Sequence, residues 1–434
     1  MSRRPLSPFS ISLALASLII LMLPAFADSH ARIVRLSDVQ GTVQIDKNSS
    51  VGFERAFLNF PITQGTQLRT GTDGRAEVEF EDGSTVLLAP NTTVQFNALS
   101  LNNAGSRLSG VELTGGTAYV NWLGKSGDVF NLNFSRERLS LGQFAHFRVN
   151  SSAKAAELAV FKGELSVEGP AGTVALGKHK TARFDVQNDD TAKVENRVPK
   201  EALDSWDNDS NSYHSEYARN ATASPYGYGL SDLNYYGSFM GVPGYGMMWQ
   251  PFFAGVGWDP FMDGAWGFYP GYGYMFASAY PWGWLPYHYG NWMFVNPYGW
   301  MWQPGGWNAW QAVPHYTPTA SAHITALTPP ATTTGNKTVL VGNTVPAIVS
   351  PERISINARS AGMGIPRGAI DDLHSLNGQV AKRGFVEMNP SPRMSPGGDV
   401  FRGNAEPAHN GMPASMSSHS SSAGHASGGA GSPK

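Results

Sequence analysis

The sequence contains no cysteine. That excludes a disulfide framework, thiolate metal ligation, a cysteine nucleophile and a lipid-bearing anchor cysteine. Charge is also scarce: Asp, Glu, Lys and Arg make up 15% of 434 residues, where about 25% is ordinary for soluble domains. The net charge of −2 provides no basic field for nucleic acid, so no nucleic-acid partner is expected. Between Arg219 and Lys337 there is neither lysine nor arginine. No stretch beyond the N-terminal region approaches the roughly 18 apolar residues of a spanning helix, so no transmembrane segment is expected in the mature chain. Also missing are a glycine-rich phosphate loop leading into a helix, HExxH, GxSxG and a glycosidase-like carboxylate pair. The chain is therefore not read as an enzyme, and no catalytic residue, cofactor or metal site is expected.

What is present begins with an export signal over residues 1–27. Arg3 and Arg4 precede an apolar stretch from Phe9 to Leu23, Pro24 ends it, and Ala25-Phe26-Ala27 has the small-x-small cleavage pattern. Cleavage is expected between Ala27 and Asp28. Export without cysteine fits a bacterial periplasm or exterior.

Residues 32–187 read as continuous β structure. Short alternating runs are punctuated by glycine turns, the spacing of a sandwich or barrel. Ala76, Val78 and Phe80 alternate with Arg75, Glu77, Glu79 and Glu81, which assigns the apolar set to the core and the acids to a solvated face. Asp82-Gly83 predicts a tight hairpin turn. Leu158–Phe161, Lys162-Gly163 and Leu165–Val167 predict another.

The pattern Gly65-x-x-Leu68-x-Thr70-Gly71, then Ala76-x-Val78-x-Phe80-x-Asp82-Gly83-Ser84, then Leu87-Leu88-x-Pro90-Asn91-Thr92 resembles a FecR-type periplasmic domain. Lys162-Gly163-x-Leu165-x-Val167 and Leu176-Gly177 suit that family too. The resemblance implies an all-β, non-enzymatic domain. In the iron-transport regulators of the family it relays a receptor signal to a cytoplasmic sigma factor. Here the domain follows the export signal almost directly, so no sigma-factor contact by this polypeptide alone is expected.

Residues 188–224 read as a polar linker. Asp207, Asp209 and Asn211 match half of a calcium loop, but Ser212 and Ala218 occupy the positions that need glycine and glutamate.

Residues 225–316 form the next domain, and composition changes abruptly within it. Between 225 and 312 lie 29 aromatic residues, 17 glycines and 9 prolines, with charge only at Asp232, Asp259 and Asp263. The block repeats: Pro243, Pro270 and Pro297 each open a Gly/Tyr-rich turn, 27 residues apart. Each copy reads as a β-hairpin, with Trp292 and Phe294 facing Trp300 and Trp302 in the last. The run Trp282-Gly-Trp284-x-Pro-Tyr287-His-Tyr289-Gly-x-Trp292 resembles the uncharacterised Trp/Tyr/Gly-rich domain that often follows FecR-type domains in bacterial envelope proteins. So many rings read either as the core of a small β domain or as stacking platforms for neutral glycan. The candidate binding residues are Trp282, Trp284, Tyr287, Tyr289, Trp292, Trp300 and Trp302, one set core and the other partly exposed. His288 reads as a packed ring rather than a catalyst.

Residues 317–388 predict weak structure, with a strand over Thr338–Val341 and a helix over Ala369–Arg383. Residues 389–434 are too rich in Ser, Gly, Pro and Ala to offset ordering entropy and are expected to be disordered. The sum is a mainly β, exported envelope protein: a FecR-like domain, an aromatic hairpin-repeat domain and a largely disordered tail. It reads as a non-catalytic binding or scaffold module for an envelope protein or cell-wall glycan. The alternative is a periplasmic sensory component of a FecR-type signalling system.

Overall fold

The computed structural model describes residues 32–188, 192–218, 227–307, 314–317, 319, 324–325, 327–331, 335–342 and 353–389. The expected export signal with Ala27 and Asp28, and the tail beyond residue 389, lie outside the described residues. The fold is mainly β. Among the described residues, no helix is long and apolar enough to cross a membrane.

The first part is one extended β ladder folded back on itself. Its pivot is the 16-residue strand Arg107–Trp122. The first half of that strand pairs parallel with Val129–Phe134 and antiparallel with Thr93–Leu101. The second half pairs with Ala145–Ser151 and Thr85–Leu88. Gly115-Gly116 sits between the halves. Gly116 has φ 97°, and a Cβ there would lie 2.5 Å from Thr92 Cα, so the crossing requires glycine. The inward residues meet in a single core that includes Leu36, Val78, Phe80, Val120, Trp122, Phe130, Leu132 and Phe147. Phe80 meets Trp122 and Phe130 edge-on at 6.1 and 6.0 Å. Such pairs contribute about 0.5–1.5 kcal/mol beyond their area.

The Asp82-Gly83 turn forms as expected. Gly83 takes φ 89°, and the Ser84 N–H donates to Asp82 Oδ1 at 3.0 Å. The Lys162-Gly163 hairpin does not form. Ala155–Gly163 pairs with Ala145–Ser151 and Thr181–Asp185, while Leu165–Gly169 pairs with Gly172–Leu176. At Gly163 (φ 83°) the chain crosses from one half of the ladder to the other. A turn signal records a change of direction and not which strand becomes the partner.

Where a solvated linker is expected, helix α1 (Asp204–Tyr217) lies on the outside of the ladder. Trp206, Tyr213 and Tyr217 fall at i, i+7 and i+11, one helical face. Trp206 packs on Leu87 and Tyr119. Two of its acids are paired rather than solvated: Asp207 with His146 at 2.8 Å and Asp204 with Arg148 at 2.6 Å.

All three aromatic repeats form hairpins: Gly237–Val242 with Gly246–Pro251, Gly264–Tyr269 with Gly273–Ser278, and Tyr289–Val295 with Gly299–Trp307. The first and third join side by side through Trp249 and Trp302. Their equivalence is reciprocal. Gln250 Nε2 donates to the Tyr298 carbonyl at 2.7 Å, and Gln303 Nε2 to the Tyr245 carbonyl at 2.9 Å. The second hairpin pairs with Val339–Val341. Around them lie α2 (Leu230–Tyr236), the short α3 (Leu285–His288), the pair Ile354–Asn357 and Phe385–Met388, and α4 (Leu373–Arg383). The expected C-terminal helix is present, beginning at Leu373 after an Asp372 side chain that accepts from the Ser375 N–H at 2.8 Å. Ile370, Leu373 and Leu376 join the aromatic core.

Candidate functional site

The seven candidate rings are brought together, but as core. Trp282, Trp284 and Trp292 are fully buried, and Tyr289, the most accessible of the seven, is only 5% exposed. Trp282 stacks on Tyr280 at 5.1 Å and meets Trp249 at 4.9 Å and Trp292 at 5.7 Å. Three of their polar edges are satisfied internally, while the Trp292 Nε1–H is buried without a hydrogen-bond partner among the described residues. Trp282 Nε1–H donates to the Ala361 carbonyl at 2.6 Å, Trp302 Nε1–H to the Tyr289 carbonyl at 2.7 Å, and the Tyr287 hydroxyl to the Pro260 carbonyl. The expectation that one set would be partly exposed is corrected. The run from Trp282 to Tyr289 is not a strand with two faces, because α3 interrupts it. The sheet surface carrying Trp292, Trp300 and Trp302 is covered by Trp258, Phe261 and Tyr287. Rings buried in this way offer no flat face to a polysaccharide. His288 contacts Trp284 at 4.3 Å. Burial and the Arg35 charge push its imidazole down to about 3, so it is neutral, as a packed ring should be.

A second cluster lies between the ladder and the aromatic core, and sequence reasoning placed its acids on the wrong side. Glu77 and Glu79 do not face solvent; both are essentially inaccessible. Arg35 pairs with Glu79 at 3.1 Å and with Asp232 at 2.5 Å. Arg367 pairs with Glu77 at 2.8 Å and with Asp232 at 2.9 Å. His214 Nε2 lies 2.9 Å from Glu77, and Nδ1 lies 3.7 Å from Glu79. The Tyr213 hydroxyl donates to Asp232 at 2.7 Å, the Ser37 hydroxyl to Glu77 at 2.7 Å, and the Gly229 N–H to Glu79 at 3.0 Å. The ladder supplies Arg35, Glu77 and Glu79; α1 supplies His214, α2 supplies Asp232, and the segment before α4 supplies Arg367.

The charges balance when His214 is protonated: three carboxylates face two guanidiniums and one imidazolium. Burial opposes the Glu77 charge, but His214 and Arg367 outweigh it and hold the carboxyl well below its usual range. Burial likewise opposes the Asp232 charge, but Arg367 and Arg35 outweigh it and lower that group. Glu79, where burial prevails, is raised. Burial would lower His214, but Glu77 and Glu79 outweigh it and raise the imidazole. The cluster is largely closed from solvent; only the side chains of His214 and Arg367 are partly accessible, at 11% and 15%. It fastens two parts of one fold, because removing one member of a buried pair leaves an uncompensated charge costing about 3–5 kcal/mol. The same contact is reinforced by Asn59, whose amide donates to the Ser278 and Tyr280 carbonyls at 2.9 and 2.8 Å.

Comparison with known families accords with both halves. Residues 66–166 match the family described as FecR protein, and residues 230–329 match a family of unknown function, DUF6600. The chain thus carries a FecR-type domain followed by a DUF6600 region. Two crystal structures of a proposed anti-sigma factor from Parabacteroides distasonis are similar over 32% of this chain and 63% of theirs, at 16% and 17% identity and a TM-score of 0.28. The chain therefore spans somewhat under two thirds of their length. Comparison with curated proteins returns no match.

Proposed function

We propose that this is an exported, non-catalytic envelope protein in which the FecR-type domain and the aromatic region act together as one binding or scaffold module. The observation that carries this reading is the largely buried cluster of Arg35, Glu77, Glu79, His214, Asp232 and Arg367, which ties the ladder to the aromatic core. A rigid two-part body presents a composite surface, as a scaffold requires, and the buried tryptophans serve to build that body. The partner is an envelope protein or a cell-wall glycan in the periplasm or at the cell exterior. Sedimentation of the purified mature chain with isolated cell envelopes tests this. Retention is expected, and its loss after protease treatment or after glycan digestion separates the two partner classes. A chain that stays wholly in the supernatant overturns the binding reading. The FecR match favours a second reading, a regulatory component of a FecR-type system; altered expression of receptor-linked genes on deletion would support it.

A further inference from the structure

The sheet built by the first and third aromatic hairpins has a second face. Strand alternation turns Trp249, Trp292 and Trp302 toward the aromatic core and Met240, Val242, Met248, Met293, Val295 and Met301 the other way. These six form an apolar cluster of their own. Met240 stands directly opposite Met248, and Met293 directly opposite Met301, a position that brings side chains of paired strands into contact. Because the hairpins join through Trp249 and Trp302, Met248 and Met301 lie diagonally across the junction. Both are fully buried, while Met240 and Met293 flank them and are only partly buried. Packing alone does not call for sulfur here. Between 225 and 312 methionine occurs seven times, leucine three times and isoleucine not at all, although leucine fills a core with better-defined rotamers. The second hairpin, which joins another sheet, has Gly267 opposite Met275 and so lacks the methionine pair. The pairs therefore occur in the two repeats that meet. The absence of cysteine excludes thiolate ligands but leaves thioethers, soft donors suited to Cu(I) and, by the same softness, to Ag(I). They are neutral, so they leave an ion's charge uncompensated, and the cost of burying charge then favours a monovalent ion.

We infer that this face is a thioether site for a soft monovalent cation, Cu(I) or Ag(I), held by sulfurs of Met240, Met248, Met293 and Met301. The ion enters past the partly accessible Met240 and Met293. The inference is independent of which envelope partner the module binds. Titration of the full mature chain with silver nitrate in chloride-free buffer tests it, read by calorimetry and by NMR of methyl-labelled methionine. Ag(I) is expected to bind saturably and to move the methyl signals of these four residues, leaving Met247, Met262 and Met275 in place. Zn(II) is expected to move none of the four. Met240→Leu and Met293→Leu conserve volume, a change that cores tolerate, so the melting temperature without metal should hold. Each should weaken Ag(I) binding by about tenfold or more, the scale on which metal sites respond to a lost supporting group. Met247→Leu, on the first hairpin but 57% exposed and outside the cluster, should leave the affinity unchanged. Absence of saturable Ag(I) binding overturns the assignment. So do shifts confined to Met394, Met412 and Met416 of the tail, indifference to both cluster substitutions, or equal weakening in Met247→Leu.

Discussion

Arg35, on the first strand of the ladder, and Asp232, on a helix of the aromatic region, meet at 2.5 Å with neither side chain reaching solvent. This pair spans nearly two hundred positions of chain. It makes the two regions interdependent, because losing either residue leaves the other buried with one counter-ion fewer, Arg35 keeping only Glu79 and Asp232 only Arg367.

The cluster makes stability pH-dependent. His214 is raised above its ordinary 6.5 by Glu77 and Glu79, which overcome its burial. Its contribution is fully present below about pH 6.5 and is lost as pH rises through the raised folded value. Glu79, raised by burial, acts in the same direction from its ordinary 4.5 upward. Glu77, held low by His214 and Arg367 against its burial, stabilises above 4.5 and loses that contribution only as pH falls through its depressed value. The groups facing His214 are Glu77 and Glu79 on the ladder, Ser231 and Asp232 on α2, and Arg367 before α4. The melting temperature should be highest in mild acid and fall above neutrality. His214→Gln should flatten the alkaline limb. A parent profile level from pH 5 to 9 would contradict the charge balance described.

Glu79→Lys should be severely destabilising. It removes a partner of Arg35 and puts a like charge beside it and beside His214. Loss of the pair alone costs about 3–5 kcal/mol. Glu164→Lys, at an exposed position of the same domain, should stay within about 0.5 kcal/mol. Urea denaturation of the two variants checks the contrast, and equal tolerance would mean that Glu79 is solvated after all.

The rings of the aromatic core should behave as packing. Trp282→Ala should cost about 3–5 kcal/mol through the cavity it leaves, and it also orphans the Ala361 carbonyl. Tyr298→Ala, at the tip of the third hairpin and 43% exposed, should leave the melting temperature nearly unchanged. Thermal unfolding followed by near-ultraviolet circular dichroism reads both.

Much of this architecture was legible in the sequence. Alternation assigned Ala76, Val78 and Phe80 to the core, and the prolines at 243, 270 and 297 marked three hairpins that form. Period and turn chemistry are local, and local signals survive folding. What escaped was set by distant contacts. Glu77 and Glu79 alternate as surface acids do, but Asp232 and Arg367 cover them from far along the chain. One signal was available: Asp232 is the first of only three charges in the aromatic block, and an isolated acid in apolar surroundings requires a partner. The helix over 204–217 was hidden by its Asp, Asn and Ser content, although Trp206, Tyr213 and Tyr217 share one face. The seven rings were correctly grouped but assigned too much exposure, because two faces of a hairpin say nothing about what packs on each.

The last prediction tests whether Arg35 and Asp232 are energetically one unit. Arg35→Met leaves Glu79 without its ladder cation and removes one of two cations from Asp232. Asp232→Asn leaves Arg35 and Arg367 facing fewer negative charges and weakens the bond from Tyr213. Each single change should cost about 3–5 kcal/mol, as for breaking a buried pair. The double variant removes one charge of each sign, so it should lose less than the sum. The expected coupling is within the roughly 0.5–3 kcal/mol found for residues sharing a network. Denaturant unfolding of the parent, both singles and the double gives the cycle. Strict additivity would show that the two residues are neighbours without mutual dependence, and the link between ladder and aromatic core would then rest on Asn59 and the apolar contacts instead.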